Sequence, residues 1–223
     1  MFKTVKKALR NFIVLAVLFF LFVGFFKFRD FLLFRQIIQN LKAESRIAEV
    51  LVTESSVDEY TRQYTTTIKF LEYDVKGKPL KPRYFTFRGN LIQFQTLVAR
   101  FEDKYIEEGH RMRGKSIYLF LKAFVLDGRN TQEFAITNTE SVPDGYRVGN
   151  PPTTFEKDIW RRFWRYALDP KERKRIGIKN AQIEAPGSVF IPGTIYTLII
   201  EHDGGIRIDT RPIPEIIKNE TIR

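Results

Sequence analysis

The spacing of apolar residues changes twice along this 223-residue chain, and the changes divide it into three stretches. From Phe12 to Phe26 the run FIVLAVLFFLFVGFF contains no charged residue. A helix rises 1.5 Å per residue, so crossing the ~30 Å hydrocarbon layer takes ~20 residues. Leu9 to Phe28 reaches that length if Arg10 and Lys27 extend their charges toward the headgroups. Beyond it, Phe31, Phe34, Ile37 or Ile38, Leu41, Ser45 and Ala48 recur at spacings of three and four. That stripe predicts a membrane-proximal helix over 29–46. Only about two heptads are sustained, fewer than the ~3–4 of a lasting coiled coil, so pairing with another copy and docking on the folded domain both stay open.

From Ile47 the period falls toward two. IAEVLVTES, YTTTIKFLEYD, RYFTFRG and LIQFQTLVARF are short runs rich in Val, Ile, Thr, Tyr and Phe, separated by turn residues such as KGKP. KSIYLFLKAFVL and TQEFAITN flank an Asp127-Gly128 turn and predict a hairpin. TIYTLIIEH and IRIDT, around Asp203-Gly204-Gly205, predict a second. About eight strands result, spaced for an antiparallel meander, barrel or sandwich rather than for alternating βαβ units. The fold class is therefore mainly β, a β-rich α+β domain over 47–213, with a tail at 214–223.

One helical segment interrupts the strands. In PPTTFEKDIWRRFWRYALDP, Thr153 and Glu156 have capping-box spacing after Pro151-Pro152. Phe155, Ile159, Phe163 and Ala167 fall on one face, and Lys157, Asp158, Arg161, Arg162 and Arg165 on the other. Asp169-Pro170 stops this helix and opens a second, KERKRI, ending at Gly177, so an amphipathic helix pair over about 154–176 is inserted in the β domain.

Charge bears on how the first segment is used. The run leads into FFKFRDF, which offers no small-x-small cleavage site, so residues 1–28 read as a cytoplasmic tail with an uncleaved signal anchor. Lys3, Lys6, Lys7 and Arg10 precede the span, while Lys27, Arg29 and Arg35 follow it, which favours a cytoplasmic N-terminus and an extracytoplasmic domain. In a bacterium that compartment is the periplasm or outer surface. Formal net charge is +11, and after the four basic residues of the tail are set aside 33 basic residues still face 26 acidic ones. A basic surface suits anionic lipid or an acidic polymer; the expected topology disfavours nucleic acid.

GHRMRGKS, Gly109 to Ser116, matches the phosphate-cradling pattern G-x-x-x-x-G-K-[ST]. Such a cradle needs a buried apolar strand before it and a helix after it. Here charged DKYIEE precedes and strand-like IYLFLKAFVL follows, so the segment reads as a basic turn and no nucleotide or other cofactor is expected. The absence of cysteine excludes a thiol nucleophile, disulfides and thiolate metal sites. The two histidines, His110 and His202, lie in different elements without metal-ligand spacing, and no metal is expected. His202 sits between Glu201 and Asp203 at a hairpin tip, where neighbouring acids raise a pKa or hold a cation, so these three are candidates for a proton or ligand site. No G-x-S-x-G elbow singles out a nucleophile among serines such as Ser116 and Ser188, and no catalytic residue is assigned.

The densest chemistry lies in WRRFWRYALDPKERKR. Trp160, Trp164 and Tyr166 alternate with Arg161, Arg162, Arg165, Lys171, Arg173, Lys174 and Arg175. Those seven basic residues are the candidate contact for an anionic lipid, polymer or envelope protein, against the simpler reading of a helix with packed rings and a solvated basic face. The sequence thus points to a membrane-anchored, non-catalytic scaffold or interaction module of a cell envelope. The alternatives are an envelope-acting hydrolase or ligand binder near His202, and an anionic-surface binder working through the basic helix.

Overall fold

The computed structural model describes residues 11–25, 45–101, 116–126, 131–147, 150–173, 178–201 and 205–215. The chain divides into two units, Met1–Ile37 and Ile38–Arg223. In the first, residues 11–25 form a helix, α1, whose side chains are exposed apart from a half-buried Ala16. Fifteen residues rise about 22 Å, and no helix among the described residues is long and apolar enough to cross a membrane. The expected 20-residue span extends on both sides into positions outside the described ones, as does nearly all of the expected 29–46 helix.

The second unit is β-rich, and all its strand pairs are antiparallel. Its strands are β1 (Ser45–Val57), β2 (Tyr64–Glu72), β3 (Arg83–Arg88), β4 (Leu91–Phe101), β5 (Ser116–Leu126), β6 (Thr131–Ala135), β7 (Ile178–Glu184), β8 (Gly187–Val189), β9 (Thr194–Ile200) and β10 (Ile206–Pro212). One sheet has the order β10-β9-β1-β2-β3; the other runs β6-β5-β4-β7, with β8 also paired to β4. Both predicted hairpins form, β5 with β6 and β9 with β10. β1 begins at Ser45, so Ser45 and Arg46, expected at the end of a helix, are strand residues.

One core joins the sheets. Along β2 the alternation buries Thr66, Ile68, Phe70 and Glu72, because period-two spacing sends every second side chain inward, and Ile68 and Phe70 belong to the core. Phe70 is central: it stacks on Phe94 of β4 at 5.4 Å and meets Phe120 of β5 edge-on at 5.2 Å, both in the opposite sheet. Phe134 of β6 packs on Phe87 of β3 at 5.0 Å, and Phe190 packs on Tyr196 of β9 at 4.2 Å. The chain crosses between sheets at Gly89-Asn90. Gly89 has φ +131°, and a Cβ there would lie 3.0 Å from Val125 Cγ1, so both backbone and packing call for glycine.

The described strands do not close into a barrel, one of the expected forms. Side chains bridge the sheet edges where a barrel would have backbone ladders. Gln132 Oε1 of β6 accepts from Arg88 N of β3 at 2.7 Å, and Glu184 Oε2 of β7 accepts from Ile206 N of β10 at 3.1 Å. The sequence pattern also missed β7 and β8. In β7 the positions in register with Thr96, Val98 and Arg100 of β4 are Glu184, Gln182 and Asn180, polar residues that hide the usual alternation.

Between β6 and β7 lie α2 (Thr154–Leu168) and α3 (Pro170–Arg173). The predicted N-cap is present: Thr153 Oγ1 accepts from Glu156 N at 3.2 Å. The buried stripe, however, is rotated from the one expected. Trp160, Phe163, Trp164 and Ala167 are buried, whereas Phe155 and Ile159 are half-buried. An aromatic column explains the rotation: Tyr118 of β5 packs on Tyr146 at 5.9 Å, Tyr146 on Trp160 at 5.3 Å, and Trp160 on Phe163 at 5.2 Å. Trp164 Nε1 donates to Ser141 O at 2.9 Å. Phe163→Ala is expected to cost about 3–5 kcal/mol, the range for deleting a buried ring. The combined change of Arg161, Arg162 and Arg165 to Gln is expected to stay within about 0.5 kcal/mol per site, because all three are exposed. Equilibrium unfolding in denaturant checks both; equal losses would make the arginines structural.

Candidate functional site

The sequence-predicted residues fall in several environments. Arg161, Arg162, Arg165 and Lys171 are exposed along α2 and α3, and Arg161 pairs with Asp158 one turn away at 3.0 Å. Arg173 is half-buried and turns to β7, donating from Nη1 to Ala181 O at 3.3 Å. Lys174 and Arg175 lie outside the described residues, as do His202 and Asp203. Glu201 is held by Arg207 Nη1 at 2.7 Å, and the same guanidinium grips Asp209 from Nε at 2.7 Å. Trp160 and Trp164 are core residues, which removes them from any exposed stacking surface.

Of the phosphate-loop match only Ser116 is among the described residues; Gly109 to Lys115, His110 included, lie outside them. Ser116 opens β5, which runs antiparallel to β4 with Arg100 opposite Ser116. A strand thus follows the motif, where a phosphate cradle requires a helix. Among the described residues no three His, Asp or Glu side chains are grouped to hold a metal ion.

The structure brings together a cluster that the sequence did not announce. Glu72 is the last residue of β2, at an inward phase, and is 5% exposed. Arg83, at the start of β3, places Nη2 4.0 Å from Glu72 Oε2 and 3.0 Å from Asp144 Oδ2, and its Nη1 donates to Ile136 O. Asp144 opens a 3-10 turn, Asp144–Tyr146, and its other oxygen takes Arg147 Nη2 at 2.6 Å. The turn packs closely over the acid: a Cβ on Gly145 would stand 3.4 Å from Glu72 Oε1. Gly145 O accepts from Val75 N at 3.2 Å, and the Tyr146 hydroxyl accepts from Tyr118 N at 3.2 Å.

Burial dominates the electrostatics here. It pushes the Glu72 carboxyl up to about 7; Arg83 opposes the shift and Asp144 adds to it. Burial likewise raises the phenols of Tyr118 and Tyr146; Glu72 adds to both shifts. Arg83 is thus shared between a well-paired, half-exposed Asp144 and a buried Glu72 at the limit of ion-pair distance. Chemically the cluster is a proton-accepting strut: it ties the β2–β3 end of one sheet to the turn that carries Tyr146 and, through it, α2. The inward phase of Glu72 in TTTIKFLE was a readable signal of a buried acid. Its partners were not readable, since Asp144 sits in a turn without periodicity.

No protein-family model, curated protein or solved structure matches the chain.

The raised carboxyl sets a pH dependence. Its folded pKa, about 7, lies above the ordinary 4.5, so the folded state holds the proton more tightly than the unfolded chain. Its contribution to stability is complete below 4.5 and is lost as pH rises through about 7. The gap corresponds to about 3 kcal/mol. Glu72→Gln keeps the shape and leaves Arg83 with Asp144, so it should remove this dependence. Unfolding curves of both proteins from about pH 4 to about pH 9 should diverge, with the variant gaining relative stability toward alkaline pH. Parallel curves would mean that Glu72 is ionised at no cost in the folded protein.

Proposed function

We propose that the protein is a single-pass, membrane-anchored and non-catalytic scaffold, whose β-rich domain stands outside the cytoplasm as an interaction module of a cell-envelope assembly. The observation that carries this reading is α1, a helix apolar from Phe12 on with almost every side chain exposed, so that in water it would leave Phe12, Phe19, Phe20 and their neighbours unburied. Lipid is the solvent that favours such a surface, and the uncharged positions continue to Phe26. The basic residues ahead of the run favour a cytoplasmic N-terminus. A domain interior filled by stacked rings supports holding and display over chemistry. The hydrolase alternative centres on His202 and Asp203, and its remaining member, Glu201, is already engaged by Arg207.

Two fusions test the anchor. A reporter active only outside the cytoplasm, joined to the C-terminus, should be active on the full chain and should stay with membranes after alkaline extraction. Removing residues 1–28 should release the domain. A stable but inactive fusion would overturn the topology, and a mature chain beginning near Lys27 would replace the anchor by a cleaved signal.

A second reading is favoured by the exposed row of Arg161, Arg162, Arg165 and Lys171, which would let the domain hold an anionic lipid or polymer. With the tryptophans buried, such a contact is electrostatic and weakens with salt. Co-sedimentation with vesicles containing anionic lipid should fall in the triple Arg→Gln variant and at high salt. Binding equal in both proteins at both salt concentrations would leave the row as solvated surface.

A further inference from the structure

In the Glu72 cluster one guanidinium stands between two carboxylates at unequal distances. Arg83 Nη2 is 3.0 Å from Asp144 Oδ2, a hydrogen-bonded pair, and 4.0 Å from Glu72 Oε2. The two acids differ in surroundings. Asp144 is exposed and also takes Arg147 Nη2 at 2.6 Å, whereas Glu72 is buried. While Glu72 carries a proton, Arg83 is free to serve Asp144. Once Glu72 is ionised, a buried charge needs a nearer cation or water.

Both remedies run through the Asp144–Tyr146 turn. Closing the gap to Glu72 draws Arg83 Nη2 away from Asp144, while Nη1 stays within reach of Ile136 O. Water needs room, and Gly145 covers the carboxyl so closely that a Cβ there would lie 3.4 Å from Glu72 Oε1 and 3.5 Å from Tyr73 O. Two further ties hold the turn. Gly145 O accepts from Val75 N and the Tyr146 hydroxyl accepts from Tyr118 N, both at 3.2 Å, the long end of the hydrogen-bond range.

The charged and titratable groups around Glu72 come from four places. They are Arg83 of β3, Asp144 and Tyr146 of the turn with Arg147 on Asp144, Tyr118 of β5, and Asp74 just beyond β2. Burial and Asp144 favour the neutral acid, and Arg83 favours the anion. Burial keeps both phenols protonated.

We propose that Glu72, Arg83 and Asp144 form a pH-operated latch on the Asp144–Tyr146 turn. With Glu72 protonated, Arg83 holds Asp144 and the turn is closed. With Glu72 ionised, Arg83 moves to it, Asp144 is released, and the turn lifts to admit water. Tyr146 packs on Tyr118 at 5.9 Å and on Trp160 at 5.3 Å, so the movement reaches α2 through the aromatic column. The closed form binds the proton, so it is favoured below about 7 and gives way as pH rises through that value. Loss of stability alone requires only that Glu72 titrate; the latch adds that the folded domain yields at this turn.

The chain has two tryptophans, Trp160 and Trp164, so fluorine-labelled tryptophan gives two resonances, which Trp164→Phe assigns. In the full chain in detergent micelles, the Trp160 resonance should move with pH around about 7 while circular dichroism shows the domain still folded. Glu72→Gln should hold the resonance at its acid position throughout. Asp144→Asn removes the tie from an exposed side chain and leaves the core intact. Its resonance should lie nearer the alkaline position even at acid pH. A Trp160 resonance that stays fixed from about pH 5 to about pH 9, or one that still moves in Glu72→Gln, overturns the proposal. An Asp144→Asn protein with the wild-type acid position overturns it too, because Arg83 would then not be holding the turn through Asp144.

Discussion

The contact between Phe70 and the rings of Phe94 and Phe120 is where the two sheets become one domain. Each sheet alone would leave a row of large apolar side chains in water, and burying one such side chain is worth about 1.5–3 kcal/mol. The stacking therefore fixes which face of each strand turns inward. Once Phe70 is inward, strand alternation commits Ile68 and Glu72 to the same side, although one is apolar and the other an acid. The corner at Gly89 then places β4 beneath β2, because no side chain stands between the backbone and Val125.

The polar interior follows from that commitment. Glu72 is carried inside by its position in the strand, and Arg83 and Asp144 meet it there at the edge of the stack. A buried acid paired at this distance does little for stability, since loss of hydration outweighs most of the attraction. It does fix position: the turn at Asp144–Tyr146 is held against β2 and β3, and the aromatic column from Tyr118 to Trp160 holds α2 through that turn. On the other flank, β7 presents Asn180, Gln182 and Glu184 inward. Asn180 Nδ2 donates to Gln182 Oε1 at 2.9 Å, Gln182 donates to Glu184, and Glu184 reaches Ile206 N of the facing sheet. Side chains thus replace a backbone ladder at both seams, and the barrel stays open.

This arrangement separates the roles the chain can play. Rings fill the centre, and the ion cluster ties the β2–β3 end of one sheet to the turn at Asp144–Tyr146. The arginines of α2 stay on the surface because Trp160 and Trp164 are required inside.

Most strands were legible in the sequence, from alternation in TTTIKFLE and from a continuous apolar run between turn residues in SIYLFLKAF, and the helix was legible from Thr153, Glu156 and the spacing to Ala167. The N-terminal apolar run was equally plain, since fifteen uncharged residues need no partner to be recognised. β7 was hidden because its inward residues are polar, and their burial depends on β10 lying opposite. The exact face of α2 was hidden because Tyr146, distant in sequence, draws Trp160 inward in place of Ile159. The Glu72 cluster was hidden for the same reason: Arg83 lies 11 residues after Glu72 and Asp144 another 61 later, and only the stacking of the sheets brings them together. Local periodicity determined which segments are strands, helix and apolar run. The tertiary structure decided which polar groups lost water and which apolar ones kept it, because burial depends on residues that no local pattern contains.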